Sequence, residues 1–225
     1  MNYSIAIDGP AGAGKSTIAK LIAKKMDCIY VDTGAMYRAM AVYFLRQGFD
    51  ASWEDKITAA CEDINVEIQY VDGEQQVILN GENITGMLRT EEVGKMASAS
   101  SVYPAVRLKL VELQRKLAKE NRVVMDGRDI GTYVLPDAEV KIYLTASVDE
   151  RANRRYKELK EKGQAVPDYE TIKKDIAERD YRDMNRDFAP LKQADDAVLI
   201  DCSDMSIEEV VDTISAIATA RDKDV

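Results

Sequence analysis

The stretch Gly-Pro-Ala-Gly-Ala-Gly-Lys-Ser at residues 9–16 matches the pattern Gly-x-x-x-x-Gly-Lys-[Ser/Thr] at every fixed position. It follows the apolar residues 5–7 and precedes the helical pattern of residues 17–24, the strand–loop–helix context that this pattern requires. Glycines leave backbone N–H groups unobstructed, and the following helix directs its positive end at the loop. The segment therefore predicts a site for the phosphates of a nucleoside triphosphate, with Lys15 contacting the β- and γ-phosphates and Ser16 ligating Mg²⁺.

Composition and charge restrict the class of protein. The chain has 225 residues, of which 46 % are hydrophobic and 32 % charged, a balance typical of a globular protein with one core and room for a small insertion. Its net charge of −9 argues against a broad surface for nucleic acid or for an anionic membrane. No signal peptide or membrane-length apolar run is recognisable, so we expect a cytoplasmic protein with no membrane partner.

Cysteine and histidine usage restricts the chemistry. Cys28, Cys61 and Cys202 are widely spaced and form no metal or redox pattern, so we expect buried thiols in a reducing compartment. The chain contains no histidine, which excludes histidine-based triads, imidazole bases and histidine metal ligands. The chemistry must therefore depend on arginine, lysine, aspartate and a metal ion.

Short apolar segments alternate with amphipathic ones along the chain. Strands are predicted at residues 3–7, 28–31, 123–126, 140–145 and 198–201. Because helical patterns lie between them, we expect an α/β fold in which helices flank a parallel sheet and ligands bind at the carboxyl ends of the strands.

Local signals add helices and one antiparallel insertion. Ser147 with Glu150 and Ser206 with Glu209 form capping boxes, predicting helices that run to about residues 163 and 220, and periodicity predicts another at 108–118. Alternation at 66–71 and 77–79 around an Asp-Gly turn predicts a hairpin within an insertion at residues 60–96.

Further polar segments follow the strands. Asp-Thr-Gly-Ala-Met-Tyr-Arg at 32–38 suggests that Thr33 caps a helix and that Arg38 faces the crevice, although a plain helix entry with a solvated arginine is the alternative. Asp-Gly-Arg-Asp at 126–129 ends a buried strand, where Asp126 is well placed to hold a water on Mg²⁺.

Two helices carry arginines on one face. Arg151, Arg154 and Arg155 share a face of the first, and Arg179, Asp183 and Arg186 share a face of the second, after a loop at 163–168. In an acidic protein this predicts a movable lid that brings guanidinium groups onto phosphates. Surface helices stabilised by ion pairs remain the alternative.

Four segments in order, at 9–17, 32–38, 126–132 and 178–186, resemble those of the bacterial cytidylate kinases, and the resemblance runs from end to end. It implies a P-loop NTPase fold: a five-stranded parallel core, a small antiparallel nucleoside-monophosphate-binding insertion and a helical lid. By this resemblance the core comprises residues 1–59, 97–147 and 190–225, the insertion 60–96, and the lid with the acceptor-binding helices 148–189. The activity implied is transfer of the γ-phosphoryl group of ATP to CMP or dCMP, with Mg²⁺.

The resemblance also implies a role for individual residues. Those around the ATP phosphates are Gly9, Pro10, Ala11, Gly12, Ala13, Gly14, Lys15, Ser16 and Thr17. Those around the acceptor are Arg38, Arg128 and Arg186 for the phosphate; Ser98, Arg107 and Asp129 for the cytosine; Arg179 and Asp183 for the sugar; and Thr33 and Tyr37 for the pocket wall. The catalytic set comprises Lys15, Arg128, Arg186 and the lid arginines Arg151, Arg154 and Arg155, and the metal set Ser16 and, through water, Asp126.

Other functions remain open on the sequence alone. A kinase of the same superfamily could act on UMP, AMP or a coenzyme precursor, and a nucleotide-hydrolysing switch or a module that only holds ATP are further alternatives. We expect a monomer whose partners are ATP and the acceptor nucleotide, with no nucleic acid.

Overall fold

The strands and helices belong to a computed structural model that describes residues 3–161, 163 and 165–222. The strands in chain order are β1 (Ser4–Asp8), β2 (Ile29–Asp32), β3 (Val66–Val71), β4 (Glu74–Leu79), β5 (Glu82–Asn83), β6 (Val123–Gly127), β7 (Val140–Thr145) and β8 (Val198–Asp201). The α-helices are α1 (Lys15–Lys25), α2 (Thr33–Arg46), α3 (Glu54–Ala60), α4 (Glu91–Ser100), α5 (Pro104–Glu120), α6 (Val148–Glu161), α7 (Tyr169–Asn185) and α8 (Ile207–Asp222).

The five strands predicted from apolar runs form one parallel sheet in the order β2–β6–β1–β7–β8, which confirms the predicted fold class. β7 and β8 have the predicted bounds, whereas β1 and β2 each begin and end one residue later than predicted. The added final residues are Asp8 and Asp32, whose backbones still pair although their side chains are polar. The carboxyl ends of β2, β6 and β1 therefore place aspartates side by side.

Each face of the sheet is covered by a different set of helices. On one face, buried residues of α2, α4 and α5 pack together with Ala6, Val123 and Met125 of the strands. On the other face, α1 and α8 pack against the β1 residues Ile5 and Ile7 and against β7. The alternation of Ile5, Ala6 and Ile7 between the two layers follows from the pleat of the strand.

The helices extend the predicted boundaries and revise two caps. α5 is longer than the predicted 108–118, since it begins at Pro104, a residue suited to the first helical turn. Ser206 and Glu209 form the predicted capping box in both directions, but at α6 only the Ser147 hydroxyl accepts from the Glu150 N–H. The prediction that Thr33 caps α2 is wrong, because the Asp32 side chain accepts the Ala35 N–H at 2.9 Å.

The predicted hairpin lies in a separate three-stranded antiparallel sheet of order β3–β4–β5, so a third short strand was missed. This sheet contacts the edge strand β2 through side chains. Gln75 accepts the Asp32 N–H at 2.9 Å and donates to the Asp32 carbonyl at 3.3 Å, while the Tyr70 hydroxyl donates to the Tyr30 carbonyl at 3.0 Å. The bounds of the insertion at 60–96 and of the lid at 148–189 stay predictions.

The cysteines are free thiols: Cys61 and Cys202 are buried as predicted, but Cys28 is only half-buried. Within the described part of the chain, no helix combines the length and the apolar character needed to cross a membrane.

Candidate functional site

The loop between β1 and α1 has the geometry expected of a phosphate-binding loop. Gly14, at φ 90°, precedes the first residue of α1, so the helix N-terminus opens into the loop. A Cβ on Gly9 would lie 1.9 Å from the Leu144 carbonyl oxygen, which excludes any side chain there. Lys15 is buried, and its Nζ donates to the Pro10 carbonyl at 2.6 Å. Burial, together with the charge of Arg128, lowers the pKa of Lys15 well below its ordinary value.

Oxygen atoms converge where the loop meets the ends of β2 and β6. The Ser16 hydroxyl donates to the Asp126 carboxylate at 3.0 Å, and the Tyr30 hydroxyl donates to its other oxygen at 2.8 Å. Burial, with the charge of Asp32, raises the pKa of Asp126 to about 6. A hydroxyl and a carboxylate are ligands suited to Mg²⁺, which usually retains several waters and needs few protein ligands. No cluster of three or more candidate metal-binding side chains occurs in the described residues.

Arginines from three elements surround the space beside this loop. The Arg128 Nε donates to Asp183 of α7 at 2.8 Å, which links the end of β6 to the second lid helix. Arg179 of α7 is near enough to Arg128 and Arg38 that their charges, after burial, help lower its pKa to about 10. Burial alone would raise the pKa of Asp183, but Arg128 and Arg179 hold it below its ordinary value. Arg128 and Arg179 thus share the carboxylate of Asp183, with Arg38 nearby, and such an excess of guanidinium groups is suited to a phosphate.

A second cluster is centred on Asp129. Its carboxylate makes a short contact with Arg107 and lies 3.4 Å from the Arg186 guanidinium, and all three side chains are buried. The Arg107 guanidinium carbon lies 5.4 Å from the centre of the Tyr37 ring, so Tyr37 lies against this cluster, and its role in lining the acceptor pocket stays a prediction. Thr33 instead donates its hydroxyl to the Asp126 carbonyl at 2.6 Å.

Buried polar atoms without a hydrogen-bond partner among the described residues include Arg107 Nε and Arg179 Nε in these clusters and Ser98 Oγ on α4. A buried donor without a partner costs about 1–3 kcal/mol, so such groups need a reason. Ser98 lies on α4, which packs against the helix that carries Tyr37 and Arg38. The sites of these atoms are consistent with a ligand that bonds to them.

The lid arginines differ from one another in their contacts. Arg151 is buried and donates to the carbonyl oxygens of Ala146 at 2.9 Å and Ala11 at 3.0 Å, and to Asp180 at 2.5 Å. Arg154 donates to the carbonyl oxygens of Cys202 at 2.8 Å and Ala13 at 3.4 Å.

The positions of Arg155 and Arg186 differ from those that helical spacing predicts, while their predicted roles stay predictions. Arg155 pairs with Glu158 at 2.9 Å on an exposed surface, because the inward side of α6 is occupied by Ala152 and Leu159. Arg186 lies one residue beyond the end of α7 and donates to the Ala189 carbonyl at 2.8 Å, so it is not on the helix face that carries Arg179 and Asp183. Its charged neighbours are Arg107 and Asp129 and also Asp183, which binds Arg128.

Sequence reasoning missed three residues of this region: Asp8, Tyr30 and Asp180. The Asp180 carboxylate accepts the Ala11 N–H of the phosphate loop at 3.3 Å as well as Arg151, so it joins both lid helices to the loop. The Asp8 carboxylate accepts two backbone N–H groups directly after Asp129. The signal in the sequence that could have identified Asp8 is its position directly before the loop motif.

Comparisons with known proteins agree over nearly the whole chain. The model of the cytidylate kinase family matches residues 5–220. The cytidylate kinase of Caldicellulosiruptor saccharolyticus is 51 % identical over 211 residues, which are 94 % of this chain and 93 % of that protein. The cytidylate kinase of Geobacillus sp. is 50 % identical over 220 residues, 98 % of each chain. A crystal structure of an uncharacterized protein from Eubacterium ventriosum has a TM-score of 0.54 at 13 % identity, covering 97 % of this chain and 99 % of that one, which bears on the fold alone.

Proposed function

This chain belongs to the cytidylate kinase family, and on that premise we propose that it transfers the γ-phosphoryl group of ATP to CMP or dCMP, giving ADP and CDP or dCDP. The observation that carries this proposal is the set of buried polar atoms without partners among the described residues: Arg107 Nε and Arg179 Nε in the two charged clusters, and Ser98 Oγ on α4. A module that only held ATP would have no need of a second polar site of this kind.

At the donor end, backbone N–H groups of the segment 9–17, in which Pro10 has none, bind the ATP phosphates, assisted by the positive end of α1. Lys15 exchanges its hydrogen bond with the Pro10 carbonyl for contacts with the β- and γ-phosphates. The negative charge of these phosphates favours the protonated, positively charged form of the Lys15 amine. Ser16 and, through water, Asp126 would hold Mg²⁺, which would supply charge neutralisation at the triphosphate. Arg151 and Arg154 fix the lid helix to loop carbonyls and so keep the site closed to water.

At the acceptor end, Arg38 and Arg128 bind the phosphate of the monophosphate, and Arg179 with Asp183 lies towards the sugar. We assign Arg186 to the base end instead of the phosphate, because its guanidinium contacts Asp129. A phosphate monoester is largely a dianion at neutral pH and attacks without a general base, so the absence of histidine is no obstacle. Catalysis then consists of in-line placement and charge neutralisation by lysine, arginines and metal.

Selection of the base depends on Ser98, Arg107 and Asp129. Cytosine presents an amino donor, which Asp129 or Ser98 accepts, and a ring acceptor, to which Arg107 donates. Uracil has the reversed pattern at both atoms and leaves buried polar groups unpaired, at a cost of about 1–3 kcal/mol for each. The expected discrimination is therefore about 5- to 150-fold for each mismatched group.

An ADP-release assay with ATP and Mg²⁺ against CMP, dCMP, UMP, AMP, GMP and TMP tests this function. Rapid release with CMP and dCMP, and little with the others, is the expected result. Preference for a different acceptor would keep the phosphoryl transfer and discard the cytosine assignment. Equal slow release with and without an acceptor would replace the kinase with a nucleotide-hydrolysing switch.

A further inference from the structure

The segment after Asp129 is a π-helix, Ile130–Val134, whose two ends are each bound by a charged side chain. At its N-terminus the Asp8 carboxylate accepts the N–H groups of Ile130 at 2.8 Å and Gly131 at 2.7 Å, one on each oxygen. Isolated π-turns are rare and concentrate at functional sites, where something must compensate their poorer geometry. Here an anion binds the N–H groups that a short helix leaves free.

At the opposite end, Arg115 of α5 binds the free carbonyl groups. Its Nε donates to the Val134 carbonyl at 3.0 Å, and a terminal nitrogen donates to the Tyr133 carbonyl at 2.8 Å. The guanidinium carbon also lies 5.5 Å from the centre of the Tyr133 ring. A cation at a helix C-terminus is the favourable sign for the backbone dipole, so the π-helix is held by complementary charges at both ends.

This arrangement fixes the residue that precedes it. The Asp129 carbonyl accepts the N–H groups of Tyr133 at 2.9 Å and Val134 at 3.1 Å, so the backbone of Asp129 is part of the same hydrogen-bonded unit. Its side chain must meet a base with hydrogen-bond precision, where a displacement of about 0.5 Å already reduces complementarity. Asp8 is 4 % exposed and lies between the phosphate loop and this unit, since the next residue is Gly9.

We propose that Asp8 and Arg115 are positioning residues for base selection, which hold the π-helix Ile130–Val134 from its two ends and thereby set the position of the Asp129 carboxylate. The inference rests on the proposed function, because it assumes that Asp129 contacts the acceptor base. Asp8 and Arg115 act in this proposal through the backbone of the π-helix, to which both are hydrogen-bonded.

Asp8→Asn tests the first end at constant side-chain size. Its single amide oxygen replaces two carboxylate oxygens, and the amide nitrogen presents a donor to a backbone N–H that is itself a donor. We expect the ratio of kcat/KM for CMP to that for UMP to fall about tenfold, the effect of one lost hydrogen bond of about 1.4 kcal/mol. The matched control is Tyr3→Phe, which removes one buried bond, the 2.8 Å contact with the Ala218 carbonyl, just before the same strand; it should leave the ratio unchanged.

Arg115→Ala tests the other end at an exposed residue, so it stays informative where Asp8→Asn fails to fold. We expect the CMP-to-UMP ratio to fall severalfold with the KM for ATP within about twofold, and Arg115→Lys to recover most of the ratio. Arg221→Ala is the control, because Arg221 likewise donates to a backbone carbonyl, that of Glu139 at 3.1 Å, away from the π-helix.

The outcomes separate the inference from the function beneath it. Folded Asp8→Asn and Arg115→Ala proteins that keep the wild-type ratio, while Asp129→Ala loses it, overturn the positioning role. A wild-type enzyme without preference for CMP, or an Asp129→Ala protein that retains it, overturns the proposed base selection instead. A fall in the ratio for Arg115→Ala that Arg115→Lys restores supports the inference, because a general loss of stability would lower both substrates alike.

Discussion

Replacing Asp180 with alanine removes the carboxylate that joins both lid helices to the phosphate loop. Its side chain contacts Arg151 at 2.5 Å and the Ala11 N–H at 3.3 Å, and the two charged side chains are only 10 % and 5 % exposed. Breaking a buried ion pair on one side costs about 3–5 kcal/mol, because the remaining charge stays buried. Since Arg151 retains the Ala146 and Ala11 carbonyls, we expect the low end, about 3 kcal/mol in the free energy of unfolding.

Urea unfolding at neutral pH measures this loss, with Asp175→Ala as the control on the exposed side of the same helix; that change should cost less than about 0.5 kcal/mol. A double variant, Asp180→Ala with Arg151→Met, removes both charges and should recover part of the loss, giving a coupling energy of about 1–3 kcal/mol. The KM for ATP should rise in the single variant, because the Ala11 segment of the loop loses its anchor. A single-variant cost below about 1 kcal/mol, or a double variant whose costs simply add, would refute the reasoning.

Three further results are expected. Asp129→Ala should lower the CMP-to-UMP ratio of kcat/KM about tenfold or more while leaving the KM for ATP nearly unchanged, and steady-state kinetics with an unchanged ratio would contradict its role. Gln114→Leu should raise the free energy of unfolding by about 1–3 kcal/mol, because the amide of Gln114 is buried and has no partner in the described part of the chain; a urea midpoint at or below that of the wild type would count against this. Burial raises the pKa of Asp8 to about 6 from 3.8. Between these two pH values the folded state retains a proton that the unfolded state has released. The stability that this proton confers is therefore lost as pH rises through 6. Relative to Asp8→Asn, the wild type should therefore lose roughly 2 kcal/mol in the free energy of unfolding between pH 4.5 and pH 7.5. If urea titrations give the same difference in unfolding free energy between the two proteins at both pH values, the raised pKa of Asp8 is excluded.

The sequence predicts the parallel sheet well because its central strands β1, β6 and β7 are buried on both faces and appear as continuous apolar runs. The predicted ends of β1 and β2 are one residue short because the apolar runs end before Asp8 and Asp32, whereas backbone pairing continues through both aspartates. The short strand β5 has only two residues, both exposed, and gives no periodic signal.

The phosphate loop is predictable because its residues are contiguous and its chemistry imposes their order. Asp8 and Asp180 are not predictable in this way, since their roles depend on partners 122 and 169 residues distant along the chain. For Arg155 the local sequence pattern is present but does not decide where the side chain lies. Helical spacing places it on a shared face with Arg151 and Arg154, but which side of a helix turns inward is decided by the apolar residues Ala152 and Leu159.

The contact of the insertion with β2 has a consequence for solubility. β2 is an edge strand of the parallel sheet, and an uncovered edge is a template for pairing with the strand of another molecule. Gln75 binds both backbone groups of Asp32, and the Tyr70 hydroxyl binds the Tyr30 carbonyl, so side chains of the insertion occupy hydrogen-bonding positions that a foreign strand would use. These side chains of the segment 60–96 thus protect the β2 edge from intermolecular strand pairing, and a kinase shortened by that segment should self-associate through β2.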